Sequence, residues 1–171
     1  MDDRRPLINI TFLYFPTCYN RSMRRFVILF ATWWGTGYSP IASGTVGTLA
    51  AIPLYLLLVR LPIPYYILAL VPLFLFSCWI SGRAETIFNE KDSGKIVIDE
   101  VIGYLVTMTG VPLSWGSVIL GFFLFRFFDI VKVPPANIID RRLKNGWGVV
   151  LDDVVAGLYA CLLIHILMRF L

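Results

Sequence analysis

Long apolar runs, broken by short turns and charged loops, organise this chain from residue 24 onward. Ile41–Leu61 supplies about the 20 apolar residues that a membrane-crossing helix needs, and Ile63–Ile80 comes close. Pro62 and Pro64 leave room for only a very short hairpin between them. The segment Ser81–Lys95 is polar and reads as a loop. A third apolar run begins near Ile96, turns at Val111–Gly116, and is followed by a fourth over Ser117–Val131. Lys132–Gly148 is a second charged loop, and Val149–Phe170 is the last apolar run. Arg24–Trp34, basic at its start and aromatic at its end, has the pattern of a helix lying in a membrane interface. These elements predict an all-α, polytopic membrane bundle with about four to five inserted helices. Residues 1–23 form a poorly defined tail, and residues 24–171 form a single domain.

Composition strengthens that reading. Of 171 residues, 58% are hydrophobic and 15% charged, far from the ~25% charged residues of soluble domains. Fifteen Lys and Arg against eleven Asp and Glu give +4. In a membrane chain such an excess sets orientation and is no sign of nucleic-acid binding. Arg4, Arg5, Arg21, Arg24 and Arg25 precede the first span, and Arg83, Lys91, Lys95, Lys132, Arg141, Arg142 and Lys144 occupy the two long loops. The opposite turns hold Arg60 alone. The tail and both loops are therefore expected in the cytoplasm, with the C-terminus outside. Cys18, Cys78 and Cys161 are too few and too scattered for a disulfide framework or a zinc site.

The same topology gathers the acidic residues. Asp99 and Glu100 open the third run, Arg126 and Asp129 close the fourth, and Asp152 and Asp153 open the fifth. All lie at the cytoplasmic ends. A helix N-terminus favours one acidic pair, by about 0.3–1 kcal/mol, but does not account for five carboxylates at one depth. They call for a cation, and hard oxygen ligands suit magnesium. Asp99, Asp129 and Asp153 are the first candidates for metal ligands, with Glu100 and Asp152 as ligands or general base. A carboxylate nucleophile is the other route open to them. Gly103 and Gly157, four residues beyond Asp99 and Asp153, place small residues where two helices can meet closely.

Gly35–Thr48, with four glycines and six hydroxyl residues, could cradle a phosphate or simply pack tightly. Arg126 and Lys132 are suited to phosphate oxygens, and Ser39, Ser43 and Thr45 are weaker candidates for the same task. Known phosphatase chemistries narrow the field. The lone His165 sits on the far side, no Asp-x-Asp motif occurs, and Cys18…Arg24 lacks the glycines of a cysteine phosphatase loop. Metal-assisted hydrolysis of a phosphate ester is what these residues favour. A cation or proton carrier and a purely structural membrane protein are the alternatives.

Three stretches carry a resemblance: SPIASGTVGTLAAIP at 39–53, DSGKIVIDEVIG at 92–103 and FRFFDIVKVPPANIIDRRLKNGWGVVLDDVVAG at 125–157. In this order they resemble the phosphatidylglycerophosphatase A family of bacterial membrane enzymes. Ser43, Thr48, Val133 and Asn145 depart from the family's usual residues without removing a charge. The resemblance implies magnesium-dependent hydrolysis of phosphatidylglycerophosphate to phosphatidylglycerol, at the cytoplasmic face of the inner membrane. The family's acidic positions correspond to Asp92, Asp99, Glu100, Asp129, Asp140, Asp152 and Asp153, and its basic ones to Arg126 and Lys132.

Overall fold

The centre of the bundle is the shortest of its described α-helices. The computed structural model describes residues 20–136 and 145–170. Its helices are α1 (Arg21–Ala31), α2 (Ser43–Leu58), α3 (Ile63–Phe88), α4 (Ile98–Thr107), α5 (Trp115–Val131) and α6 (Gly146–Leu167), with one 3₁₀ turn at Thr36–Tyr38. Among the described residues there is no strand. Helix α4 packs against α2, α3, α5 and α6. Eight of its ten residues are buried, Ile102, Tyr104 and Leu105 among them. Beyond its acidic first turn the helix is mostly apolar, and protein encloses it.

Close approach of α4 to α6 rests on the two glycines singled out above. A Cβ at Gly103 would strike the Phe125 ring and lie 2.9 Å from the Asp153 carbonyl, and one at Gly157 would strike the Gly103 carbonyl. Backbone contact of this kind fixes the relative height of Asp99 and Asp153. The far end of α4 is closed by tyrosine. The Tyr66 hydroxyl donates to the Leu105 carbonyl at 2.7 Å, one of the acceptors a helix C-terminus leaves over. Tyr66→Phe is expected to cost about 1 kcal/mol. A lowered thermal midpoint in detergent, with phosphate release at the other end of the bundle unchanged, is the expected result.

Two helices, α3 with 26 residues and α6 with 22, are long and apolar enough to cross a membrane. Helices α2, α4 and α5, with 16, 10 and 17 residues, fall short of the usual length. The third apolar run is thus a central helix about 15 Å long and no full span. The expected loop at Ser81 is also corrected, because α3 continues to Phe88. Ile80 and Ala84 are fully buried against Val27 and Ala31 of α1, with Ile87 and Phe88 packed alongside. A helical apolar stripe therefore persists where mean hydropathy has already fallen, and Asn89 ends it with a left-handed backbone, φ 52°. Helix α1 is amphipathic as expected: Val27 and Ala31 face the bundle while Arg21, Arg24 and Arg25 are exposed. Asn20 caps it, accepting from the Ser22 amide at 3.3 Å.

Candidate active site

Three helix ends converge on one cavity of about 370 Å³. Asp99 and Glu100 come from the first turn of α4, Arg126 and Asp129 from the last turns of α5, and Asp152 and Asp153 from the second turn of α6. All six line the cavity, together with Ser43, Asp92 and Lys132. Asp99, Asp152 and Asp153 are at most 7% exposed. Carboxylates so deeply buried need a compensating charge or a proton.

The structure divides the five carboxylates by partner. Asp99, Glu100 and Asp153 each offer an oxygen within 4.8 Å of the other two. Glu100 Oε2 and Asp153 Oδ2 are buried and have no hydrogen-bond partner among the described residues. Close carboxylates with orphaned buried oxygens are the kind of donor set that a hard divalent cation takes. Asp129 and Asp152 are each engaged by a cation of the chain itself. Arg126 Nη1 donates to Asp129 Oδ2 and lies 3.9 Å from Glu100 Oε1. Lys132 Nζ donates to Asp152 Oδ2 at 2.8 Å. The i, i+3 spacing of Arg126 and Asp129 put them on one face, as the sequence implied. That Glu100 completes the close trio while Asp129 pairs with arginine was not legible from spacing alone.

The glycine-rich stretch enters the site at one point. Gly44, in the first turn of α2, lies so near Glu100 Oε1 and the Arg126 guanidinium that any Cβ there would overlap them. No side chain caps the N-terminus of α2. Ser43 lines the cavity, and its hydroxyl donates to the Gly94 carbonyl at 2.6 Å. That bond ties the 92–97 segment to the start of α2, and the Val97 amide, donating to the Ala31 carbonyl at 2.9 Å, ties it to the end of α1. Ser39 and Thr45 are not part of the cavity wall. Ser39 Oγ donates instead to the Ile41 carbonyl at 2.9 Å, and Thr45 is turned ~100° from Gly44 on the helix. Asp92 stands exposed at the mouth, and Asp140 lies outside the described residues.

Backbone strain is concentrated here too. Ala42, Asp92 and Lys132, at φ 46°, 49° and 46°, are three of the six non-glycine residues with positive φ among the described residues, and all three line the cavity. Such conformations cost about 1–3 kcal/mol and persist where surrounding structure enforces them. Gly44 and Ala42 are wall residues whose importance no charge pattern announced. Gly44 did lie in a stretch whose small residues marked close packing or ligand contact.

A family model, phosphatidylglycerophosphatase A, matches residues 29–168, which include every residue of this cavity. The chain belongs to the phosphatidylglycerophosphatase A family. As a member of it the chain is a phosphatase, a phosphoric monoester hydrolase. It is 36% identical over 138 residues to a phosphatidylglycerophosphatase A of Haemophilus influenzae, covering 80% of this chain and 85% of that protein. It is 37% identical over 130 residues to the phosphatidylglycerophosphatase A of Escherichia coli, covering 75% and 76%. A protein of Bacteroides thetaiotaomicron named a putative phosphatidylinositol-3-phosphatase is 39% identical over 150 residues, covering 81% and 91%. No solved structure matches the chain.

Proposed function

We propose that this chain hydrolyses phosphatidylglycerophosphate to phosphatidylglycerol and inorganic phosphate, with magnesium as cofactor, at the cytoplasmic face of a bacterial inner membrane. The observation that carries the reading is the close trio of carboxylates, two buried and one half-buried, with two orphaned oxygens, beside two cations in one cavity. The names of two relatives supply the substrate.

In this reading Asp99, Glu100 and Asp153 hold the metal. Bound there, magnesium would neutralise phosphoryl oxygens and make a water ligand more acidic. Arg126 and Lys132 bind the remaining phosphate oxygens. Asp129 and Asp152 aim those two cations before substrate arrives, so little reorganisation is left for the reaction. The uncapped amides at the start of α2 face the same anion, as helix N-termini do in many phosphate sites. Glu100 and Asp152 are the carboxylates offered for proton transfer from the attacking water. Its oxygen bonds to phosphorus as the bond to the glycerol oxygen breaks, and the proton taken from the water passes to that oxygen to give the alcohol.

Membrane orientation follows the positive charges. Arg83, Lys95 and Lys132 stand toward the cavity end of the bundle, and Arg60 lies at the opposite end. With α3 and α6 crossing, α2 and α5 insert beside them and α4 stays enclosed. A cation or proton carrier is disfavoured, since its acidic residues should occur at several depths, and these share one cavity.

The test is phosphate release by the purified full chain in vesicles containing phosphatidylglycerophosphate. Release that needs added magnesium and stops in EDTA is the expected result. Full activity in EDTA would remove the metal from the mechanism. Faster release from phosphatidylinositol 3-phosphate would move the substrate assignment toward the name of the Bacteroides relative.

A further inference from the structure

Resting on the phosphatase reading above, we propose that the cavity opens sideways into the bilayer. The substrate's acyl chains would lie along α5, passing out between the start of α2 and the C-terminal turns of α5. Two kinds of wall meet in the cavity. Asp92 and Lys132 are polar and belong to loop-facing positions, whereas Ala42 and Ile130 are apolar. Ile130 lines the cavity and is also 70% exposed, so a single side chain separates the carboxylates' chamber from the outer surface of the bundle.

That surface is continuous. Ile119, Phe123, Phe127 and Ile130, at helical spacing, form one stripe along α5, each more than half exposed. From Ile119 to Ile130 the helix rises about 16 Å, close to half of the ~30 Å hydrocarbon core and thus to the acyl layer of one leaflet. On the facing side the left-handed backbone at Ala42, φ 46°, delivers Ile41 to the surface, where it is 78% exposed. An amphiphile with a phosphate at one end and two acyl chains at the other matches a chamber that is charged inside and apolar at this one rim. Its head group would reach the carboxylates without the chains leaving the lipid phase, which avoids the cost of exposing them, about 0.8 kcal/mol per CH₂.

The experiment compares two substrates on the full chain in phosphatidylcholine vesicles: dioleoyl phosphatidylglycerophosphate and water-soluble glycerol 1-phosphate. Ile130→Asn and Ile41→Asn are expected to lower kcat/KM for the dioleoyl lipid about tenfold, the scale of losing one apolar contact, and to leave glycerol 1-phosphate turnover unchanged. Leu68→Asn, an equally exposed position on α3, should alter neither. Equal losses on both substrates, no loss on either, or the same selective loss in Leu68→Asn would each overturn the portal. Wild-type protein that releases phosphate from neither substrate would overturn the phosphatase reading itself, and the portal with it.

Discussion

Asp99→Asn and Asp153→Asn should each lower kcat/KM for phosphatidylglycerophosphate by about a thousandfold or more, the scale of losing a group that stabilises transition-state charge. Both residues sit in the close trio with Glu100, and both are nearly sealed from solvent. Asparagine keeps the shape of aspartate but offers a neutral oxygen to the cation. The stability readout should move differently from activity. Without metal, three mutually close carboxylates repel one another, and replacing one by an amide relieves that repulsion. In EDTA each variant should therefore melt no lower than wild type. Adding magnesium should raise the wild-type midpoint, because a ligand bound only by the folded state stabilises it, and should raise that of the variants little. Variants that keep their activity, or that respond to magnesium as wild type does, would show that the trio is not the metal site. A stability gain beside a loss of function is the usual mark of a site built against its own folding.

Much of this site was legible because charge inside an apolar run is expensive and so has to converge on something. Asp99, Glu100, Asp129, Asp152 and Asp153 stood at the ends of three separate runs, and the fold does bring all five to one cavity. The glycine spacing likewise identified the inward face: Gly103 and Gly157 touch, as their offsets from Asp99 and Asp153 implied. Hydropathy was a poorer guide to helix length. It ended the second run at Ile80, although Ala84, Ile87 and Phe88 continue the stripe that packs on α1. It also could not distinguish a central helix from a span, since Ile98–Thr107 is apolar for the same reason in either case. The partition of the carboxylates was hidden for a different reason. Which oxygen meets a guanidinium depends on angles of about 100° per residue summed over three helices whose rotation no single sequence fixes. Thr45 is absent from the wall on the same account and Ser39 through its local bond to the Ile41 carbonyl, while Ser43 between them reached it.

Gly44→Ala tests that wall most sharply. The substitution adds one methyl group in the first turn of α2, where helix propensity alone favours alanine over glycine by about 1 kcal/mol. The helix should form as well as before. The new Cβ, however, would occupy the space of Glu100 Oε1 and lie 2.9 Å from Arg126 Nη1. Neither group can yield freely: Arg126 is held by Asp129, and Glu100 belongs to the close carboxylate trio. Displacing either by about 1 Å is enough to cost on the order of a hundredfold in rate. The expected result is unchanged helical circular dichroism with kcat/KM reduced about a hundredfold. Gly82→Ala is the matched control. It too adds a methyl to a glycine between helices, but its nearest neighbours, in Gly146, stand at 3.7 and 3.8 Å, an ordinary contact. Its activity should match wild type. If Gly44→Ala retains full activity, the start of α2 does not press on the site, and the phosphate role assigned to its amides falls. If Gly82→Ala loses as much, the effect belongs to helix packing in general and not to the meeting of Gly44, Glu100 and Arg126.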